Sequence, residues 1–263
     1  MSFKIAISGK GGVGKTTVAG LLISRLISRG CTPVLAVDAD PNTCLDAVLG
    51  VKAINTIGSV REEAKEVATK GLSSGMSKQQ LLELKISESL VEAHNFDLIA
   101  MGRPEGPGCY CYANNVLKQA LGEISSQYPY IVLDNEAGLE NLSRRIVTRV
   151  DVLVIVADPS VRGLETVERL WTLAKQMDIG YSKLAIVVNR LRQNELPPLV
   201  ADLKTKTGAD FIFGLEDDAE IAQFAQDGRT MFELPASNPV VMKLDNFIMD
   251  TLKGSNIRDE KSK

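Results

Sequence analysis

The sequence predicts a doubly wound α/β fold, a mainly parallel sheet with helices on both faces. Three observations predict it. Aliphatic runs of four to seven residues recur along the chain, continuous rather than alternating, as strands buried on both faces require. Helical patterns separate most of these runs, which calls for right-handed crossovers between parallel strands. The first run passes through a glycine-rich loop directly into the first helical pattern.

Taken in order, the first strand is read over Lys4–Ser8 and the first helix over Thr16–Arg29. That helix carries Val18, Leu21, Leu22, Leu26 and Ile27 at helical spacing. A strand at Val34–Val37 follows, then a charged stretch, Val51–Gly75, with little clear period. A helix is expected over Ser77–Ala93 with Ser77 as its N-cap. The strands Leu98–Met101 and Tyr130–Leu133 bracket a helical pattern at Ala113–Ile124. Beyond them come strand Val152–Val156, helix Val161–Met177, strands Leu184–Val188 and Phe211–Phe213, and helix Asn238–Leu252. No repeat, low-complexity tract or Gly/Ser linker divides the chain. One domain over residues 1–253 is expected, with 254–263 as a charged, frayed tail.

Composition narrows the function classes. Apolar residues make up 44% and charged residues 24%, which excludes intrinsic disorder. Thirty basic against 33 acidic side chains leave a net charge of −3, with no general pull on nucleic acid or anionic lipid. No apolar run approaches the ~20 residues that span a bilayer. The N-terminus passes straight into a strand and leaves no room for a signal peptide, so a cytoplasmic protein is expected. Four cysteines do not make a disulfide framework in so long a chain. Cys31 and Cys44 each sit in an apolar run and read as core. His94, closing a helical pattern alone, reads as solvated.

Gly9-Lys10-Gly11-Gly12-Val13-Gly14-Lys15-Thr16 matches G-x-x-x-x-G-K-[ST] between a strand and a helix. The glycines let successive N–H groups form an anion nest, and the helix N-terminus adds positive partial charge. Lys15 reaches β- and γ-phosphates, Thr16 offers a hydroxyl to Mg²⁺, and Thr17 extends the nucleotide-binding set. Asp134 closes the hydrophobic strand Tyr130–Leu133 in a Walker B arrangement, second-shell or direct to Mg²⁺. Gly138, in Asp134-Asn135-Glu136-Ala137-Gly138, lets the backbone approach a γ-phosphate. At the second strand's end, Val37-Asp38-Ala39-Asp40-Pro41-Asn42 puts carboxylates where such sheets bind ligands.

Mid-chain, Gly106-Pro107-Gly108-Cys109-Tyr110-Cys111-Tyr112 precedes a helical pattern. A disulfide across one residue is strained, so redox pairing is disfavoured. Proximity to a helix N-terminus favours thiolates. Two ligands fall short of the four that a tetrahedral site wants. Two copies of the C-x-C meeting on a twofold axis complete a Cys₄ site for Ni²⁺ or Zn²⁺ at a homodimer interface. The alternative is that both thiols are small buried apolar groups.

The phosphate loop with its extra lysine, Lys10, resembles the deviant Walker A of MinD/ParA-type ATPases. The resemblance implies that Lys10 reaches across a homodimer to the partner's ATP and that hydrolysis is slow and dimer-dependent. It implies that Asp40 positions or activates the attacking water, with Asp38 supporting the Mg²⁺ shell. Asn189, in Val187-Val188-Asn189-Arg190, corresponds to the asparagine that bonds the adenine edge, with Arg190 beside it. Gly214-Leu215-Glu216 would flank the base. The loop, Asp38–Asn42 followed by Cys44-Leu45, the C-Y-C and Asp134–Leu142 occur in one order. Together they resemble the CooC/AcsF-type nickel-insertion ATPases that serve carbon monoxide dehydrogenase and acetyl-CoA synthase. Glu140-Asn141 departs from many members, which carry histidine after that glutamate. The implied partners are a second copy of the chain and the nickel-free apo-enzyme; the implied cofactors are ATP or ADP with Mg²⁺, and Ni or Zn on Cys109 and Cys111. Two alternatives share the loop: a MinD/ParA-like spatial organiser and an iron–sulfur scaffold or electron-transfer ATPase. A passive metal buffer is the non-enzyme reading. The organiser fits less well, since Val240–Leu252 holds Lys243, Asp245 and Asp250 and is nearly neutral, unlike a basic amphipathic membrane helix.

Overall fold

The computed structural model describes residues 2–60, 77–102, 122–139 and 149–253. Eight strands form one sheet: β1 (Phe3–Gly9), β2 (Val34–Asp38), β3 (Val91–Glu92), β4 (Phe96–Ala100), β5 (Tyr130–Asp134), β6 (Arg149–Ala157), β7 (Gly180–Leu191) and β8 (Phe211–Glu216). Their order across the sheet is β3-β4-β2-β5-β1-β6-β7-β8, and every pairing is parallel except β3 with β4. The seven expected strands are all present. Helices among the described residues include α1 (Lys15–Ser28), α2 (Leu45–Leu49), α3 (Lys78–Glu88), α4 (Val161–Gln176), α5 (Leu199–Thr207), α6 (Ala219–Gln226) and α7 (Pro239–Leu252).

Strand alternation divides the interior in two. In β1, Phe3, Ile5 and Ile7 face one core with α1 and α7, while Ala6 faces the other with α4 and α5. The same alternation splits Val34 and Ala36 from Leu35 and Val37, and Val152 and Val154 from Leu153 and Ile155. Both faces of the central strands are therefore dry, which explains why these runs read as continuous. On α1, Val18, Leu21, Leu22 and Leu26 are buried. Each such side chain contributes roughly 1.5–3 kcal/mol to stability.

Three expectations need correction. The helix expected over Ser77–Ala93 ends at Glu88, because Val91–Glu92 leaves it to pair antiparallel with β4. Its start is as read: the Ser77 hydroxyl accepts from the Gln80 N–H at 3.1 Å, and the Gln80 side chain accepts from Ser77 N–H at 2.9 Å, a capping box. His94 accordingly lies between two strands rather than at a helix end. Cys44 is exposed, not core, because it stands at the N-cap of α2 on the loop side; Cys31 is buried as read. The helical pattern at Ala113–Ile124 lies largely outside the described residues, with 122–126 helical. Cys109, Cys111, Glu140, Asn141 and the tail 254–263 also lie outside them.

Candidate functional site

The sheet register brings the site together. β1 lies between β5 and β6, with Ile7 opposite Asp134 and Gly9 opposite Val156. On the next strand, Asp38 stands opposite Asp134. The phosphate loop and both strand-end carboxylates thus open at the C-terminal edge of the sheet, where doubly wound folds bind ligands.

Local sterics shape the loop. A Cβ at Gly9 would sit 2.2 Å from the Val156 carbonyl oxygen, so only glycine lets the chain leave β1 this close to β6. Gly14 has φ 90°, and a Cβ there would meet the Asn189 side-chain nitrogen at 2.5 Å. No side chain caps α1: Gly14 is its N-cap residue, and the first-turn N–H groups face the loop. An uncapped helix N-terminus behind a glycine nest is a ready anion site. Val13 is buried and anchors the loop from beneath, while Asn189 donates its side-chain N–H to the Val13 carbonyl at 2.8 Å. That bond leaves the Asn189 side-chain oxygen as the acceptor available to the cleft.

Charge is distributed unevenly around the loop. Lys15 is buried and its ammonium donates to the Lys10 carbonyl at 3.2 Å. Burial lowers its pKa, opposed by Asp134, Asp40 and Glu136. Lys10, by contrast, is exposed at the loop's crest. Asp134 is 1% exposed, and neither carboxylate oxygen makes a hydrogen bond of good geometry. Burial pushes its pKa up to about 7, with Asp38 adding to the rise and the nearby Thr16 hydroxyl and Lys15 opposing it. A buried carboxylate with two idle oxygens, beside a threonine hydroxyl, has the donor chemistry of a hydrated Mg²⁺ shell.

Asp38 differs although it shares the register. One oxygen accepts the Asp40 N–H at 3.0 Å, and the other accepts the Cys44 and Leu45 N–H groups at 2.9 Å each. Burial raises its pKa, while these three bonds act to lower it. Asp40 is half-buried and accepts from Asn42, backbone and side chain, at 2.8 and 3.0 Å. Gly138 has φ 103°; its N–H donates to the Gly9 carbonyl at 3.2 Å, and its carbonyl accepts the Ser8 hydroxyl at 2.6 Å.

A cleft of about 750 Å³ continues from the loop across α1 toward β8. Gly14, Thr17, Asn189, Arg190 and Leu215 line it, as does Glu216, whereas Gly214 faces a separate groove. Arg190 is exposed and takes φ 60° next to an irregularity in the β7–β8 register between Val188 and Leu191. Such an irregularity turns successive side chains off the sheet face. Sequence reasoning missed Asp158, Ser160 and Arg192 on the same wall. The Ser160 hydroxyl holds the Asp158 carboxyl below its usual range, with Lys10 contributing. Its signal was present in retrospect: Asp158-Pro159-Ser160 closes a strand and caps α4, with Ser160 accepting from Gly163 N–H at 3.0 Å.

Comparison with known proteins agrees with this geometry. A family model described as an AAA domain (AAA_31) matches residues 3–185. The uncharacterized ATP-binding protein MJ0685 of Methanocaldococcus jannaschii is 40% identical over 242 residues, 92% of this chain and 95% of that one. The carbon monoxide dehydrogenase accessory protein CooC of Rhodospirillum rubrum is 32% identical over 200 residues, 72% of this chain and 74% of that one. Among solved structures, the septum site-determining protein MinD of Pyrococcus horikoshii, in complex with Mg-ADP, superposes with a TM-score of 0.63 at 20% identity, covering 97% of this chain and 98% of that one. The chain belongs to the AAA-domain family of P-loop ATPases, which hydrolyse ATP, and has a MinD/ParA-like fold.

Proposed function

We propose that this ATPase is a cytoplasmic metallochaperone that inserts nickel during maturation of carbon monoxide dehydrogenase or acetyl-CoA synthase. On this reading residues 1–253 form one ATPase domain working as a homodimer. Gly9–Thr16 cradle the phosphates, with Lys15 on the β- and γ-oxygens and Asn189 reading the base. Thr16 and Asp134 hold Mg²⁺, which neutralises charge on the transferring phosphoryl group. Asp40 orients the attacking water, and Lys10 stabilises charge on the partner's nucleotide. Cys109 and Cys111 of each copy supply a shared thiolate site for Ni or Zn, the cargo.

One observation carries the coupling. β4, whose chain continues toward the C-x-C, is in register with β2, and Met101 N–H donates to the Asp38 carbonyl at 2.8 Å. The strand leading to the thiols therefore leaves the sheet from the residue whose side chain organises the loop facing the phosphates. Movement of that loop has a short, hydrogen-bonded route to β4. The likeness to CooC supports the choice of cargo.

The test is metal analysis of the full chain and a Cys109→Ser/Cys111→Ser variant, with and without a non-hydrolysable ATP analogue. The expected outcome is about one nickel or zinc per dimer in the wild type, dependent on nucleotide state, and none in the variant. Equal metal content in both proteins overturns the thiol site. An iron–sulfur absorption spectrum after anaerobic purification would replace nickel by a cluster.

A further inference from the structure

We propose that Asp38 is a positioning residue for hydrolysis, holding the loop of residues 40–45 by its carboxylate rather than serving the Mg²⁺ shell. Asp38 is 1% exposed, and both oxygens are committed to backbone N–H groups, of Asp40 on one side and of Cys44 and Leu45 on the other. Asp134, directly opposite in register, has both oxygens idle. The two carboxylates therefore divide the work. Rotating this carboxylate onto a metal would disturb N–H bonds that it accepts at 2.9–3.0 Å, and charge-assisted bonds are among the stronger kinds in proteins. The loop between the anchored ends carries Asp40, whose N–H is one of the three donors. The Asp38 carbonyl accepts from Met101 N–H at 2.8 Å, and Ala39 N–H donates to the Asp134 carbonyl at 2.9 Å. Asp38 thus ties the loop to the β4 exit, and Ala39 beside it reaches the β5 end.

The catalytic consequence rests on the reading of Asp40 given above; the structural one does not. The test combines residue-resolved amide hydrogen exchange with kinetics on the full chain. In the wild type, the Asp40, Cys44 and Leu45 amides stay protected when Mg²⁺ and a non-hydrolysable ATP analogue are added. Loss of protection on adding them would mean that the carboxylate turns to the metal, which overturns the proposal. In Asp38→Asn, which keeps the volume but turns an N–H₂ toward donors, protection at these amides falls at least tenfold. Its kcat falls at least tenfold, KM for ATP stays within threefold, and Mg-ADP affinity stays within twofold. A tenfold loss of Mg-ADP affinity with the amides still protected overturns the assignment, as does lost protection with unchanged kcat. Should Asp38→Asn not fold, the wild-type exchange experiment decides alone. Full turnover in Asp40→Ala would remove the reading of Asp40 and leave the exchange result for Asp38 standing.

Discussion

Asp134 concentrates the physics of the site in one side chain. It is buried with no hydrogen bond of good geometry, only the Thr16 hydroxyl nearby, and its pKa is raised to about 7 against an unfolded value near 3.9. Below about pH 4 both folded and unfolded chains hold the proton and the group costs nothing. Between about pH 4 and 7 the unfolded chain loses its proton first, so stability falls as pH rises, and the deficit is constant above 7. Asp134→Asn removes the ionisable group while keeping its shape. The nucleotide-free variant is expected to be more stable than wild type at pH 8, by of order a few kcal/mol. The gap closes as the pH is lowered to 4. Denaturant titrations across that range check it, and a gap independent of pH would contradict it. ATP hydrolysis by the same variant is expected to drop at least a hundredfold. A strand-closing aspartate was readable in the sequence. That Asp134 is idle while Asp38 is committed was not, because backbone N–H groups two, six and seven residues on leave no mark in composition or spacing.

At the scale of elements, the motif-bearing pieces were legible and the short connecting ones were not. α1, α4 and α7 bury aliphatic stripes, and such stripes repeat in the sequence at helical spacing. α2, α5 and α6 are five to nine residues long and show too few turns to establish a period. β3 has two residues and exists only because β4 presents a free edge to it. Capping joins two of these pieces. The Asn238 side-chain oxygen accepts from Val240 and Val241 N–H at 3.0 and 3.2 Å, starting α7. Its side-chain nitrogen donates to Asp218 and Glu220 at 3.1 and 3.0 Å, and Asp218 itself caps α6. Asn238→Ala is expected to cost about 1–2 kcal/mol, the upper end for a cap because buried partners are left behind. A urea midpoint shift with an unchanged slope would register it. Because Asp218 lines the same cleft as Gly14 and Asn189, the proposed nucleotide site, the variant's nucleotide affinity should weaken by less than tenfold.

Over the whole molecule, the sheet order places β1 centrally, between β5 and β6, so the phosphate loop emerges from a strand paired along both edges. Lys10 alone among the loop's charged groups stands exposed. The proposed action of Lys10 on a partner's nucleotide is a whole-molecule property and is tested by complementation. Lys10→Ala and Asp40→Ala proteins, each expected to be inactive, are mixed in equal amounts. If Lys10 acts in trans and Asp40 in cis, half of the chains form mixed pairs and each mixed pair has one complete site. Turnover should then recover to roughly a quarter of wild type, taking random pairing and independent sites. Activity no higher than in either parent would remove the trans assignment.

What the sequence by itself determined was the alternation of strands and helices, the phosphate loop and the carboxylates at strand ends. These are short-range patterns, written in hydrophobic period, glycine placement and the residue that closes each run. Only the tertiary structure decided which carboxylate is free and which is spoken for, that Cys44 faces outward, and that Asp158 shares a wall with Asn189 and Leu215. Those outcomes depend on which strands become neighbours and in what register. Neighbours are chosen by packing across two apolar layers, an energy summed over residues far apart in the chain and therefore invisible in any one segment of it.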